Sequence, residues 1–160
     1  MKIVIPTYKR PDGKIDALEN GWIPQSFYKK VYVVIRREVS EMERYKKLTV
    51  DYPGVNVAMI DVPKDAGIPE TRDAICRHWM FENQKIWMID DDITEWWYRK
   101  DNQGCIKADI SFLKDIENNI LKHPDKNRIG QFGLYHCVWA CKKNCNIPFI
   151  SENVGLVQVV

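Results

Sequence analysis

Three carboxylates in a row, Asp90, Asp91 and Asp92, close the stretch IWMIDDD. The residues before them are mostly apolar, which is the pattern of a short buried strand. Two unit charges ~4 Å apart repel by about 4 kcal/mol at an effective dielectric near 20. An acidic cluster set against a buried strand therefore asks for a cation. Oxygen-only ligands suit Mg²⁺ or Mn²⁺, and Mg²⁺ usually takes one or two carboxylates with substrate phosphates and water. If the chain stays extended, alternation sends Asp90 and Asp92 to one face and Asp91 to the other. The plainer alternative is a charged loop whose acids cap helices.

Basic and aromatic residues lie in segments that could meet this cluster. Pro69 suits the first turn of a helix, and on that helix Arg72 shares a face with Ile75, Cys76 and Trp79. The apolar part of the face should pack on a sheet and bring Arg72 to the strand ends. There its guanidinium could bind phosphate or orient a carboxylate. A structural pair with Asp73 or Asp92 is equally open. In the loop TYKRPDG, Tyr8 could stack on a base and Arg10 could reach a diphosphate. In EWWYRK, residues 95–100, the aromatics could line an acceptor groove beside Arg99 and Lys100, or form a packed cluster with a solvated basic end.

These residues need a scaffold. KIVIP (2–6), VYVVIR (31–36), VNVAMIDV (55–62) and residues 86–90 read as four strands. Residues 14–22 read as a short helix. Ser40 and Glu43 fit a capping box opening a helix to about Val50, with Val39, Met42 and Tyr45 on its inner face. Another helix runs from about Ala108 to Lys122, with Leu113, Ile116 and Ile120 at helical spacing. IGQFGLYHCVWA (129–140) reads as a further strand. The order βαβαβαβ predicts an α/β fold with a mainly parallel sheet and helices on both faces. Ligands then sit at the carboxyl ends of the strands. PTYKR, RRE and DDD all fall there.

The chain has 160 residues and a net charge of +2, which fits one soluble domain and gives no sign of a generally basic nucleic-acid binder. No segment is long enough for a membrane span or a signal peptide, so a cytoplasmic location is expected. Five cysteines fit free thiols in small core positions. Cys137, Cys141 and Cys145 with His136 could hold zinc, but the spacing matches no standard knuckle.

IVIPTYKRP, GIPETRDAI and IWMIDDDI, in that order and spacing, resemble the nucleotide-sugar glycosyltransferases of the GT-A fold. More narrowly, GIPETR followed by MIDDD is similar to the TET-associated glycosyltransferases of phages, enzymes linked to hydroxymethylated pyrimidines in DNA. The resemblance covers roughly residues 2–100. It implies a Rossmann-like GT-A sandwich, with residues 1–100 as the nucleotide-sugar half and 101–160 as an acceptor half that is short beside its relatives. DDD resembles the DxD motif, so Asp92 with Asp90 would hold Mn²⁺ or Mg²⁺. Asp90 would also contact the ribose or sugar, and Asp91 joins the nucleotide-sugar set. Pro6, Thr7, Tyr8 and Arg10 would line the nucleotide pocket, with Arg72 near the phosphates. Arg36 would lie near the base, where many relatives carry an acid. PFISENVGLVQVV resembles the acidic motif of the acceptor half, which makes Glu152 the candidate general base.

The expected activity is transfer of a sugar from a nucleoside-diphosphate sugar, such as a UDP-sugar, to a hydroxyl acceptor such as a modified base in phage DNA, in the host cytoplasm. In-line attack with one base would invert the anomeric centre. A nucleotidyltransferase can share such a sheet, but PTYKRPDGK lacks the glycine density of its loop. A catalytically inactive nucleotide-sugar-binding module is the third alternative.

Overall fold

A computed structural model describes residues 2–10, 13–80, 85–100 and 104–124. The expected strand at 129–140, the cysteines at 137, 141 and 145, and Glu152 all lie outside them. The chain divides into two compact units, residues 1–93 and 94–160.

In the first unit the run KIVIP forms β1 (Lys2–Pro6). It pairs in parallel with β2 (Val31–Arg36) on one side and β4 (Ile86–Met88) on the other, and β3 (Asn56–Ile60) pairs in parallel with β2. The order is β3-β2-β1-β4. Strands step outward from β1 to β3, and α4 (Ile68–Met80) then carries the chain back to the far side of β1. The direction of winding reverses there, so a switch point lies between the carboxyl ends of β1 and β4.

Alternation along the strands sorts the two faces. Val4, Val34 and Ile60 pack with Ile75 and Trp79 of α4 in one buried cluster. Ile3, Ile5, Val33 and Ile35 have the opposite parity and are also buried, so both faces are covered. The second face belongs to the connections α1 (Asp16–Glu19), α2 (Val39–Lys46) and α3 (Leu48–Asp51). Helix α2 touches β2, and α3 touches β3. The parallel α/β architecture with helices on both faces is as expected, and it is Rossmann-like.

Several local expectations change. Helix α2 starts at Val39 with Glu38 in the capping position and no side-chain cap, so Ser40 does not open a capping box. A long helix to Val50 is replaced by α2 and α3, which meet at Lys47. That residue keeps helical dihedrals (φ −64°, ψ −29°), so the interruption is a lapse in hydrogen bonding rather than a turn. On the inner face Tyr45 is fully buried, but so is Glu41, which the apolar pattern did not include. Cys76 is exposed, although it shares a helix with the buried Ile75 and Trp79. A stripe of 100° or so reaches only part of the helix circumference, and position 76 falls outside it.

The described part of the second unit holds an antiparallel hairpin, β5 (Trp96–Lys100) with β6 (Gly104–Ala108), followed by α5 (Ser111–Lys122). The segment 95–100, for which the sequence predicted no element, is therefore largely strand. Helix α5 begins three residues later than expected, because Ala108 is still paired in β6. Asp109 accepts hydrogen bonds from the backbone N–H and hydroxyl of Ser111, which hold its carboxyl below the usual range and tie down the helix start. Leu113 and Ile116 are buried as their spacing predicts. No helix among the described residues is long and apolar enough to cross a membrane.

Candidate donor-binding site

Parity along the strands decides where each candidate points. Met88 is level with Val4, on the α4 face, and Asp90 lies two residues further on. Arg72, in the second turn of α4, donates from Nη2 to Asp90 Oδ1 at 2.5 Å. Both side chains are only about one-fifth exposed (18% and 21%), so this is a largely desolvated pair. The expected arrival of Arg72 at the strand ends is met, with Asp90 as its carboxylate. Neither acid considered for a structural pair with it, Asp73 or Asp92, is its partner: Asp73 pairs with Arg77 on the helix surface, and Asp92 lies nearer Arg10.

Asp91 turns the other way, towards the end of β1. Its Oδ2 accepts from the Thr7 hydroxyl at 2.6 Å and from Arg10 Nε at 2.9 Å, and its Oδ1 accepts from Arg10 Nη2 at 2.7 Å. The two arginine contacts form a bidentate fork, the strongest form of such a pair. This contact, more than the neighbouring charges, holds the Arg10 guanidinium well above its ordinary pKa. The backbone carbonyl of Asp91 also accepts from Asp16 N–H at 2.9 Å, tying the acidic segment to the start of α1.

Asp92 does not follow Asp90 to the Arg72 side. The backbone bends after Asp90, with Ile93 N–H reaching Asp90 O at 3.4 Å. The Asp92 carboxylate is 62% exposed and stands 3.9 Å from Arg10 Nη2. The acids are thus divided by partner: Asp90 on one arginine, Asp91 on another, Asp92 towards solvent. No group of three or more His, Cys, Asp or Glu side chains gathers among the described residues. Two neighbouring carboxylates, one of them open, nevertheless suit a divalent cation whose shell is completed by phosphate and water.

The loop after β1 is shaped to serve this arrangement. Pro6 ends β1 opposite Val34, and Thr7 N–H still donates to Val34 O at 3.0 Å. Lys9 has φ 54°, a left-handed conformation that costs an L-residue about 1–2 kcal/mol. Its N–H is held at 3.2 Å by Oε2 of the buried Glu41. Strain of this kind persists where its surroundings fix it, and here it sits immediately before Arg10. Tyr8 is not simply an open platform. The Arg36 guanidinium carbon lies 3.9 Å from its ring centroid, and its hydroxyl is 3.5 Å from Glu38 Oε1. Arg36 itself is buried against the start of α4, so it turns inward rather than into the loop's open space.

Tyr45 and Glu41 belong to this site and were not among the candidates. Tyr45 OH lies 2.8 Å from Thr7 Oγ1, which in turn donates to Asp91. The two residues are four apart on α2 and so share its inner face. An acid and a tyrosine together on the face turned to a strand end are a readable signal. Burial raises the Tyr45 pKa, with the Thr7 contact opposing and Glu41 adding to the rise. A raised phenol pKa means that its stabilising contribution is complete below the unfolded value near 10 and is lost as pH climbs through the folded value. Wild type should therefore exceed Tyr45→Phe in stability by about 0.5–1.5 kcal/mol at neutral pH. The gap should narrow above about pH 10. Urea unfolding at stepped pH reads this directly, and a gap that stays constant to high pH would contradict it.

Comparison with known proteins adds one relative. The chain is 32% identical over 110 residues, 66% of its length, to a protein of Enterobacteria phage T2 named β-glucosyl-HMC-α-glucosyl-transferase. It spans only 35% of that relative's length. No family model matches the chain, and no solved structure matches it. The chain is thus related in sequence to a protein named as a phage glycosyltransferase.

Proposed function

We propose that this chain binds a nucleoside-diphosphate sugar at the β1–β4 switch point and takes part in transferring the sugar to a hydroxyl acceptor. The observation that carries the reading is the convergence there of Arg10, Arg72 and the three aspartates. Open α/β sheets bind ligands at such points. Two guanidiniums beside an exposed carboxylate suit a diphosphate that arrives with its own cation. The similarity to a protein named as a glucosyl-transferase favours glycosyl transfer over nucleotidyl transfer.

In this reading Asp92, with Asp90, would hold Mn²⁺ or Mg²⁺. Such an ion supplies Lewis-acid stabilisation of the charge that develops on the leaving diphosphate. Arg72 adds fixed positive charge at the same place. The acceptor oxygen attacks the anomeric carbon, the bond to the diphosphate breaks with its electron pair, and Glu152 takes the acceptor proton as general base. One in-line displacement of this kind inverts the anomeric centre. The acceptor we favour is a hydroxyl on a modified base of phage DNA, in the host cytoplasm, a choice supported by the β-glucosyl-HMC group in the relative's name.

The direct test is calorimetric titration of UDP with Mn²⁺ present and again in chelator. Affinity should rise at least tenfold with the metal, about 1.4 kcal/mol. Equal affinity in both conditions would remove the cation bridge. No binding in either would remove the donor site.

A further inference from the structure

Arg36 is the last residue of β2 and is only 5% exposed. It lies two positions beyond Val34 and so faces α4. A buried guanidinium ordinarily has a carboxylate partner. Among the described residues no carboxylate pairs with Arg36, and its Nε is buried without a hydrogen-bond partner. Instead, Nη2 donates to Ala66 O at 2.7 Å and Thr71 Oγ1 at 2.9 Å, with Gly67 O at 3.5 Å. The planar face of the same group covers the Tyr8 ring at 3.9 Å. One side chain therefore holds two segments that share no hydrogen bond among the described residues: the loop after β1 and the entry to α4.

The chemistry suits arginine and no other residue. Only a planar cation can stack on an aromatic face and donate from its edge at once. The Thr71 hydroxyl also donates to Gly67 O at 2.8 Å, so the Arg36 contact reaches the first turn of the helix that carries Arg72. We propose that Arg36 is a positioning residue that locks the Tyr8 ring and the first turn of α4 into one wall of the nucleotide pocket. The coupling is a property of the free protein. Its purpose, holding the wall for a nucleotide, rests on the donor-site reading given above.

The test uses hydrogen–deuterium exchange on the free protein together with calorimetry of UDP with Mn²⁺. Arg36→Lys keeps the charge and removes the planar fork. It should speed exchange in residues 7–10 and 66–72 together, leave β1 and β3 protected, and weaken UDP binding about tenfold. Tyr8→Leu changes a partly exposed ring and keeps the core. It should loosen residues 66–72, with which it shares no hydrogen bond among the described residues, through the released guanidinium. Thr71→Val should loosen residues 7–10 by the same route, and these two variants carry the test if Arg36→Lys does not fold. Loosening of only one segment, or general loosening of the sheet, would overturn the coupling. Faster exchange with unchanged UDP affinity would overturn the wall's purpose. If wild type binds no UDP, the donor reading and that purpose fall together, while the exchange data still decide whether Arg36 joins the two segments.

Discussion

Asp92→Asn should reduce sugar transfer by roughly 10²-fold or more and leave the fold intact, the scale expected when charge stabilisation at a leaving group is lost. The carboxylate is 62% exposed and its one described cationic neighbour, Arg10, is already committed to Asp91. Stability should therefore change by no more than about 0.5 kcal/mol, as for other exposed positions. Removing one of three adjacent negative charges can only ease repulsion in the free protein. With Mn²⁺ present, the UDP affinity of the variant should fall to the level wild type shows in chelator. Retained transfer would take Asp92 out of the cation site. A variant that unfolds would make the residue structural, against its exposure.

The scaffold was legible because parallel strands covered on both faces leave strong signals. KIVIP and VYVVIR are continuous apolar runs, and they form β1 and β2 at the expected boundaries. Helix α4 was equally clear from Pro69 and the spacing of Ile75 and Trp79. The hairpin of β5 and β6 was not. Its first strand combines aromatic residues with two basic ones, and no alternation marks a buried face. The signal lay in turn-forming residues, Asp101, Asn102 and Gly104, between two segments with β-forming side chains.

At the candidate site, residue type was easier to read than partnership. The sequence brought Arg72 and the aspartates to one end of the sheet, but it could not choose among carboxylates one residue apart. That choice depends on register. Val4 opposite Met88 fixes Asp90 on the α4 side and Asp91 on the other. The bend after Asp90 then removes Asp92 from the alternation that a strand would impose. Arg36 was placed at the correct strand end, yet whether it faces a ligand or its own chain depends on the carbonyls of Ala66 and Gly67, which carry no side-chain signal.

Asp91→Ala should destabilise the protein more than any other single change among the three acids, by about 1.5–3 kcal/mol. Removal of one partner from a fully buried pair costs about 3–5 kcal/mol. The Arg10 side chain is 33% exposed, so solvent recovers part of that loss. The Asp91 side chain is itself only 14% exposed and accepts three hydrogen bonds, from Thr7 and twice from Arg10. Thr7 is buried and would keep Tyr45 as its remaining side-chain partner. Asp91→Asn retains an acceptor for Thr7 and loses the charged fork, so it should fall between wild type and Ala. Arg10→Ala should cost less than Asp91→Ala, because Asp91 would still hold Thr7. In the double variant the losses should not add, leaving a coupling of about 0.5–3 kcal/mol, the range for residues in one network. Urea unfolding of wild type and these four variants decides the matter. Additive losses, or an Asp91→Ala change below about 0.5 kcal/mol, the size of an ordinary surface substitution, would mean that Asp91 is no hub and that the other contacts of the loop, from Glu41, Tyr45, Arg36 and the backbone, suffice to hold it.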